Sequence, residues 1–350
     1  MQIMKITFLD AGCGDAIHIR FLGNDNKIHN IIIDGGTEKG SVYDDGLRKT
    51  LKEIVKTPDE YIDLWILSHI DDDHIGGILR LLKDTELLGN VDFSKTKFWY
   101  NYSIWDYDTG IRDSNRKSTR QGINLRDYLI KNSIVNESIT TDSGTIDLWG
   151  AKATILSPEK KNLDELKEKW KKEESLLRTR DSSSKKAAGK NDYETPIEDF
   201  DISKEHKSHS EENASSIAFL FEYKEAAVLF TADSEPDVLI ANLKRVNNGK
   251  PVQLDYMQLP HHGSKYNLRN ELLELVKCSN YIISADGFNK SNLPNKETLV
   301  KVLNANPDKE IQFYITQKNS LTDSIFDVDK ESKINLNFPK KGERNLFFDI

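Results

Sequence analysis

Cysteine is almost missing: Cys13 and Cys278 are the only two in 350 residues. Two cysteines exclude a disulfide framework and a cysteine-based zinc cage, and they fit a reducing cytoplasm. Long apolar runs are missing too. No stretch approaches the ~20 residues that a membrane span needs. The opening MQIMKITFLDAG has no basic region, apolar core or small-residue cleavage site, so no signal peptide is expected. Hydrophobic residues are scarce at 37% and charged residues abundant at 30%. That balance describes a folded core with at least one solvated, charge-rich insertion. Basic charge is not in excess. A net charge of -8 excludes a chain that coats nucleic acid through its total charge, while leaving room for a local basic groove.

What is there reads as alternating β and α segments. Lys5–Leu9, Ala16–Leu22 and Ile28–Asp34 have the patterning of a β-meander. Val42–Val55 has helical spacing. Ile62–Leu67 is a compact buried strand, and a helix is expected from about His74 through Leu82. Asn101–Arg120 is polar and turn-rich, a loop by composition; Gly122–Ile130 predicts a short helix, and Ile146–Leu156 two strands. Of the 54 residues Glu159–Glu212, 28 are charged; the segment reads as a flexible insertion, with a charged helix at Leu163–Leu177. Strands and helices then alternate from Ile217 to Thr316, and Ile334–Phe338 and Asn345–Phe348 close the chain as edge strands. The expectation is one domain over 1–350, α/β in class: two sheets with helices outside, a four-layer αββα sandwich, interrupted by 159–212.

Two short histidine clusters carry the chemistry. The first, Ser68-His69-Ile70-Asp71-Asp72-Asp73-His74-Ile75-Gly76-Gly77, puts three acids and two histidines in six residues after a strand. Like charges repel, and a divalent cation removes that cost. Ligand sites of α/β proteins gather at the carboxyl ends of strands, and Gly76-Gly77 would let the backbone approach what is bound. A polar cap by Asp72 or Asp73 accounts for the acids alone, but not for the flanking histidines. The second cluster is Pro260-His261-His262-Gly263-Ser264-Lys265. Adjacent histidines point in different directions, so one is expected to ligate and the other to pack or hydrogen-bond. Between the clusters, the strand Ala226–Thr231 leads to Asp233, a turn starter, a helix cap or a ligand.

Taken together, His69, Asp73, His74, Asp233 and His262 resemble the metallo-β-lactamase superfamily, whose pattern is His-x-His-x-Asp-His. Here Asp71 stands at the second histidine position. That variant resembles the metallo-β-lactamase domain of ComEC-type DNA-uptake proteins and their soluble stand-alone relatives. Asp10-Ala-Gly-Cys-Gly-Asp15, Ile33-Asp34-Gly35-Gly36, Asn213-Ala-Ser215, Leu229-Phe-Thr-Ala-Asp233-Ser-Glu235 and Pro260–Lys265 match in order. The resemblance covers about residues 1–90 and 213–305.

The resemblance implies the metallo-β-lactamase type of αββα sandwich and a metal-dependent hydrolase, in first place a phosphodiesterase or nuclease acting on DNA, RNA or nucleotides. It implies that Asp73, His74 and His262 ligate one metal, that His69 and Asp71 ligate the other, and that Asp233 bridges. Asp73, Asp233 and His262 are the implied catalytic residues. Asn213, Ser215, His261, Ser264 and Lys265 are the implied substrate contacts. Replacing an imidazole by Asp71 hardens the site, which favours manganese or magnesium beside zinc, and one or two ions would activate water. The superfamily's third histidine of the first metal site has no counterpart; His206 and His209 lie upstream of Asn213, within the insertion. Rival readings are a hydrolase of another small ester, such as a lactone, and a metal-poor member that binds nucleic acid or a partner protein. Phe98–Tyr107 is rich in aromatics that either stack on bases or form a buried strand edge, with Arg112, Arg116, Lys117 and Arg120 nearby for phosphates. His18 and His29 are expected to be ordinary sheet residues.

Overall fold

Strict alternation decides which way each early strand faces. In Ala16–Leu22, Ile17, Ile19 and Phe21 are buried while His18, Arg20 and Leu22 are only partly so. In Leu64–Leu67 every side chain is buried, because the strand is covered on both faces. A computed structural model describes residues 4–102, 117–176, 191–207, 209–288, 292–329 and 334–350. The first half runs β1 (Met4–Phe8), β2 (Ala16–Leu22), β3 (Ile28–Asp34), α1 (Gly40–Asp45), α2 (Leu47–Lys56), β4 (Leu64–Leu67), α3 (Asp72–Leu81), α4 (Thr85–Leu88), β5 (Lys97–Tyr100), α5 (Lys117–Lys131) and β6 (Asn136–Glu137). The rest runs β7 (Thr145–Leu148), β8 (Ala151–Ser157), α6 (Lys160–Leu176), α7 (Glu211–Ala214), β9 (Ala218–Tyr223), β10 (Ala226–Phe230), α8 (Pro236–Val246), β11 (Val252–Gln253), β12 (Tyr256–Gln258), α9 (Asn270–Glu274), β13 (Val276–Lys277), β14 (Asn280–Ile283), α10 (Lys296–Asn304), β15 (Gln312–Ile315), β16 (Asn335–Asn337) and β17 (Leu346–Asp349). No helix among the described residues is long and apolar enough to cross a membrane.

Among the described residues, two large sheets form. One has seven strands in the order β17-β1-β2-β3-β4-β5-β6; the other has eight, β16-β15-β14-β12-β10-β9-β8-β7. Each begins as an antiparallel meander and turns parallel, at β3/β4 in the first and β10/β12 in the second. Ile17, Ile19, Phe21, Leu64 and Ile66 meet Phe219, Phe221 and Phe230 between the sheets. On the far side of the first sheet, Ile32, Trp65 and Leu67 lie under Leu47, Leu51, Ile75 and Ile78. On the far side of the second, Leu229, Met257 and Ile283 lie under Leu239, Leu243, Leu299 and Val302. The class is therefore α/β, and the layers run helix, sheet, sheet, helix. Each large side chain sealed in these three cores contributes ~1.5–3 kcal/mol, so the strands are fixed far more firmly than the loops at their ends.

Several local expectations are corrected. The helical spacing over Val42–Val55 is two helices, α1 and α2, broken at Gly46, whose backbone lies so close to the Asp10 carbonyl that a Cβ would sit 2.9 Å from it. Of the two readings of the aromatic run, the buried strand holds for Phe98, Trp99 and Tyr100, core residues of β5 each at most 1% exposed; Trp105, Tyr107, Arg112 and Arg116 lie outside the described residues. Gly76 and Gly77 do not open the backbone to a ligand. They press α3 against the turn after β3: a Cβ on Gly77 would stand 1.9 Å from the Gly35 carbonyl oxygen. Gly77→Ala is therefore expected to cost more than the ~1–3 kcal/mol of ordinary overpacking, read as a lowered midpoint in a thermal melt. Within 159–212, Tyr193 is buried in the outer core of the second sheet. The fully buried Lys296 donates to the carbonyls of Tyr193 and Thr195 and pairs with Asp329.

Candidate metal centre

Five chain segments deliver their ends to one place. Four of them are the carboxyl ends of strands flanking the two parallel switch points, where ligand sites of α/β sheets form. β3 ends at Asp34, β4 leads into Ser68–His74, β10 into Asp233, and β12 into Pro260–Lys265. The fifth, the loop after β1, carries Cys13 and Asp15 and is tied to α3 by the Asp15 amide donating to the Asp73 carbonyl, 3.2 Å.

Asp233 is the hub. It is 2% exposed, and its two oxygens face different groups. Oδ1 lies 3.4 Å from His74 Nε2 and 3.6 Å from His262 Nε2. Oδ2 lies 3.3 Å from His261 Nε2 and 3.7 Å from His69 Nε2. Asp71 stands 3.7 Å from His69 Nε2, and Asp73 3.3 Å from His262 Nε2. Asp71 and Asp73 are about one-third exposed, so they are the acids that face solvent.

The supporting contacts aim the rings. Asp34, fully buried, accepts from Ser68 N and Oγ and sits 2.8 Å from His74 Nδ1. That bond leaves His74 Nε2 pointing at the hub, the arrangement by which a carboxylate fixes the tautomer of a metal-binding histidine. His261 Nδ1 is held by Asn267 Oδ1 at 2.9 Å, with Asn213 Nδ2 at 3.3 Å. Asn267 in turn donates to the carbonyls of Asp233 and Ser234. Asp71, not Asp72 or Asp73, is the residue at the N-cap of α3, and its side chain makes no capping bond. Asp72 accepts from Gln121 Nε2 at 2.7 Å, which ties α3 to α5.

The adjacent histidines diverge, their rings 77° apart and facing different oxygens of Asp233. His261 and His262 both have left-handed backbone, with φ of 48° and 56°, and this turn brings both Nε2 atoms to Asp233. Such conformations cost ~1–3 kcal/mol each and persist where the surroundings over-determine them. Of the other expected substrate contacts, Asn213 lies against His261, its Nδ2 3.3 Å from the ring nitrogen that Asn267 holds. Ser215 is buried with its hydroxyl donating to the Glu212 carbonyl, so it closes the end of α7 and does not line the site. Ser264 is buried and its oxygen accepts from the Tyr266 amide. Lys265 is about one-quarter exposed and lies 3.5 Å from Glu297. His206 pairs with Glu297 and His209 with Glu235. His18 and His29 sit on β2 and β3, the latter against Asp63 and stacked on Trp149.

The donor set fits a cation. His69 Nε2, His74 Nε2, both ring nitrogens of His262, Asp233 Oδ1 and Asp15 Oδ1 are buried without a hydrogen-bond partner among the described residues. Buried polar atoms are rarely left so. His69, His74 and Asp233 form one group with ligand atoms all within 4.8 Å, and Asp15, Asp233 and His262 form another. The electrostatics describe how the groups manage without an ion. Burial opposes charge on His262, yet Asp233 and Asp73 hold its pKa up at about 9. Burial likewise opposes charge on His74, which Asp233 and Asp34 keep well above the ordinary range. Burial would raise Asp73, but His262 and His74 bring it to about 2. His69 goes the other way: burial, then His74, lowers it to about 4. The acids thus favour the charged form of two of these imidazoles, a positive charge that a bound cation would supply in its place.

No protein-family model matches the chain, and no curated protein does. Among solved structures, a diphosphatase of the PhnP family aligns over 99% of this chain and 98% of its own, at 12% identity and a TM-score of 0.41. The diiron β-hydroxylase CmlA from Streptomyces venezuelae aligns over the whole chain at 11% identity and a TM-score of 0.41, and this chain spans 55% of its length. A metallo-β-lactamase from Pontibacter korlensis aligns over 71% of this chain and 82% of its own, at 10% identity and a TM-score of 0.29. Fold class rests on the sheet order and the three cores, and the candidate centre on its own geometry.

Proposed function

We propose that this protein is a metal-dependent hydrolase that cleaves phosphodiesters of nucleic acids or nucleotides at the Asp233 centre. The observation that supports this is the set of buried, unpartnered ring nitrogens converging on one buried carboxylate. His69, Asp71 and His261 would hold an ion on the Oδ2 side of Asp233; Asp73, His74 and His262 would hold one on the Oδ1 side. Zinc and manganese lead as the metals, with magnesium third. A bound divalent ion supplies Lewis acidity and a water of lowered pKa.

The chain's own residues do the rest. Asp73 is the solvent-facing acid of the Oδ1 side; held against burial at about 2 by His262 and His74, it would accept a hydrogen bond from the attacking water and orient it. Lys265 can exchange its long contact with Glu297 for a substrate phosphate. Asp34 and Asn267 keep His74 and His261 aimed during turnover. The ComEC-like motif order points to DNA as the first substrate to try, and the cysteine usage to a cytoplasmic setting.

Purified protein incubated with Mn²⁺ or Zn²⁺ is expected to cleave labelled single- or double-stranded DNA or RNA. Asp73→Ala is expected to remove at least ~10²-fold of that rate, the order of loss when a reacting group is misplaced, with an unchanged circular dichroism spectrum. Turnover of p-nitrophenyl esters with no nucleic-acid cleavage would move the reading to another ester. Absence of bound metal by elemental analysis would move it to a binding protein.

A further inference from the structure

Cys13 has no part in the scheme above. It is half-buried, and its Sγ, a carboxylate oxygen of Asp73 and a ring nitrogen of His262 all lie within 4.8 Å of one another. The loop that carries it is pressed onto the site by the sequence itself. A Cβ on Gly14 would fall 2.2 Å from the Asp73 carbonyl oxygen, and Gly12 has a φ of 74°. Only glycine on either side lets Cys13 come this near the first turn of α3. The second observation is His262. It is 2% exposed, neither ring nitrogen has a hydrogen-bond partner among the described residues, and its Nε2 stands 3.3 Å from Asp73. A buried imidazole nitrogen without a partner, beside a carboxylate and a thiol, is a nitrogen waiting for an ion.

We propose that Cys13 is a metal ligand: its thiolate joins Asp73 and His262 on the Oδ1 side of the centre. This rests on the metal-centre reading above and goes beyond it by making the two ends chemically unlike. Among the described residues, the Oδ2 side offers imidazole and carboxylate donors, His69, Asp71 and His261. The Oδ1 side would add a sulfur, and thiolate ligands select zinc over hard cations such as magnesium and manganese. Three donors at the ~2.0–2.3 Å typical of zinc bonds can share one ion from this spacing with small side-chain adjustments. Binding breaks one S–H bond and forms one S–metal bond. The proton passes to the buffer, and no electrons are exchanged. Oxidation of the thiol by a peroxide would remove this donor, so metal loading would depend on the redox state of a single residue.

The test uses the whole 350-residue chain and cobalt or zinc alone. With Co²⁺ bound, a near-ultraviolet sulfur-to-cobalt charge-transfer band is expected; Cys13→Ser should abolish it and Cys278→Ser should keep it. Zinc affinity of Cys13→Ser should fall by at least the ~10–100-fold that losing even a supporting group costs, while manganese affinity changes less. X-ray absorption on the zinc-loaded wild type should show one sulfur neighbour at ~2.3 Å, a measurement that needs no variant. Co²⁺ bound in stoichiometric amount without the band, or a band that survives Cys13→Ser, overturns the assignment of Cys13 and leaves the metal centre standing. Failure of the wild type to bind Co²⁺ or Zn²⁺ at all overturns both.

Discussion

Asp233→Asn is expected to give a folded protein that binds no divalent ion and has lost at least ~10³-fold of its turnover, about 4 kcal/mol of transition-state stabilisation. Asparagine keeps the shape of the side chain and removes its charge. Asp233 faces four imidazoles, His74 and His262 on one oxygen and His69 and His261 on the other, and no other acid among the described residues does so. Loss of that charge also lowers the pKa of His74 and His262, because burial, which opposes charge on both, would then meet less opposition. The fold should survive. Asp34 still holds His74 at 2.8 Å, and the three cores do not involve Asp233. Elemental analysis, calorimetric titration with Zn²⁺, turnover and circular dichroism read the four parts separately. Wild-type metal content in Asp233→Asn would remove Asp233 from the role of hub.

Much of this centre is legible in the sequence because its donors come in short runs that end strands. His69–His74, Asp233 and His261–His262 could be marked from apolar patterning followed by acids and imidazoles. The αββα class follows from the same strand and helix alternation. What could not be read is direction. The left-handed backbone at His261 and His262, which turns both rings to one carboxylate, has no signature in residue type. Gly76-Gly77 look like a ligand approach and serve helix packing, since a glycine's partner is invisible until the chain is folded. Ser215 looks like an edge residue and closes a helix. Cys13 has no spacing to mark it; the Asp-x-Gly-x-Gly-Asp frame around it gives the one hint that it lies near the turn His69–His74. Charge density over 159–212 gave no hint that Lys296, 0% exposed, fastens the Tyr193–Thr195 backbone to α10.

Without metal, stability is expected to peak near pH 6.5 and fall on both sides, and a bound divalent ion should flatten the alkaline side. His262 sets that side. Burial works against its charge, but Asp233, Asp73 and Asp15 raise its pKa from 6.5 to about 9. The folded state therefore holds a proton that the unfolded chain gives up near 6.5. The stabilisation is complete below pH 6.5 and is lost as pH rises through 9, up to about 3 kcal/mol. His74, also raised, acts in the same direction. His69 sets the acid side. Burial lowers it to about 4, so below pH 6.5 the unfolded chain takes up a proton that the folded one refuses, and stability falls as pH drops towards 4. The low pKa of Asp73 is the other half of its contact with His262 and is counted once. Metal ligands must shed these protons to bind. Zinc affinity should therefore rise with pH over the window in which metal-free stability falls. Urea midpoints at pH 5, 6.5 and 9, with chelator and with zinc, read both effects. A metal-free protein that grows more stable between pH 6.5 and 9 would mean that His262 is neutral in the folded chain and that Asp233 is balanced by some other charge.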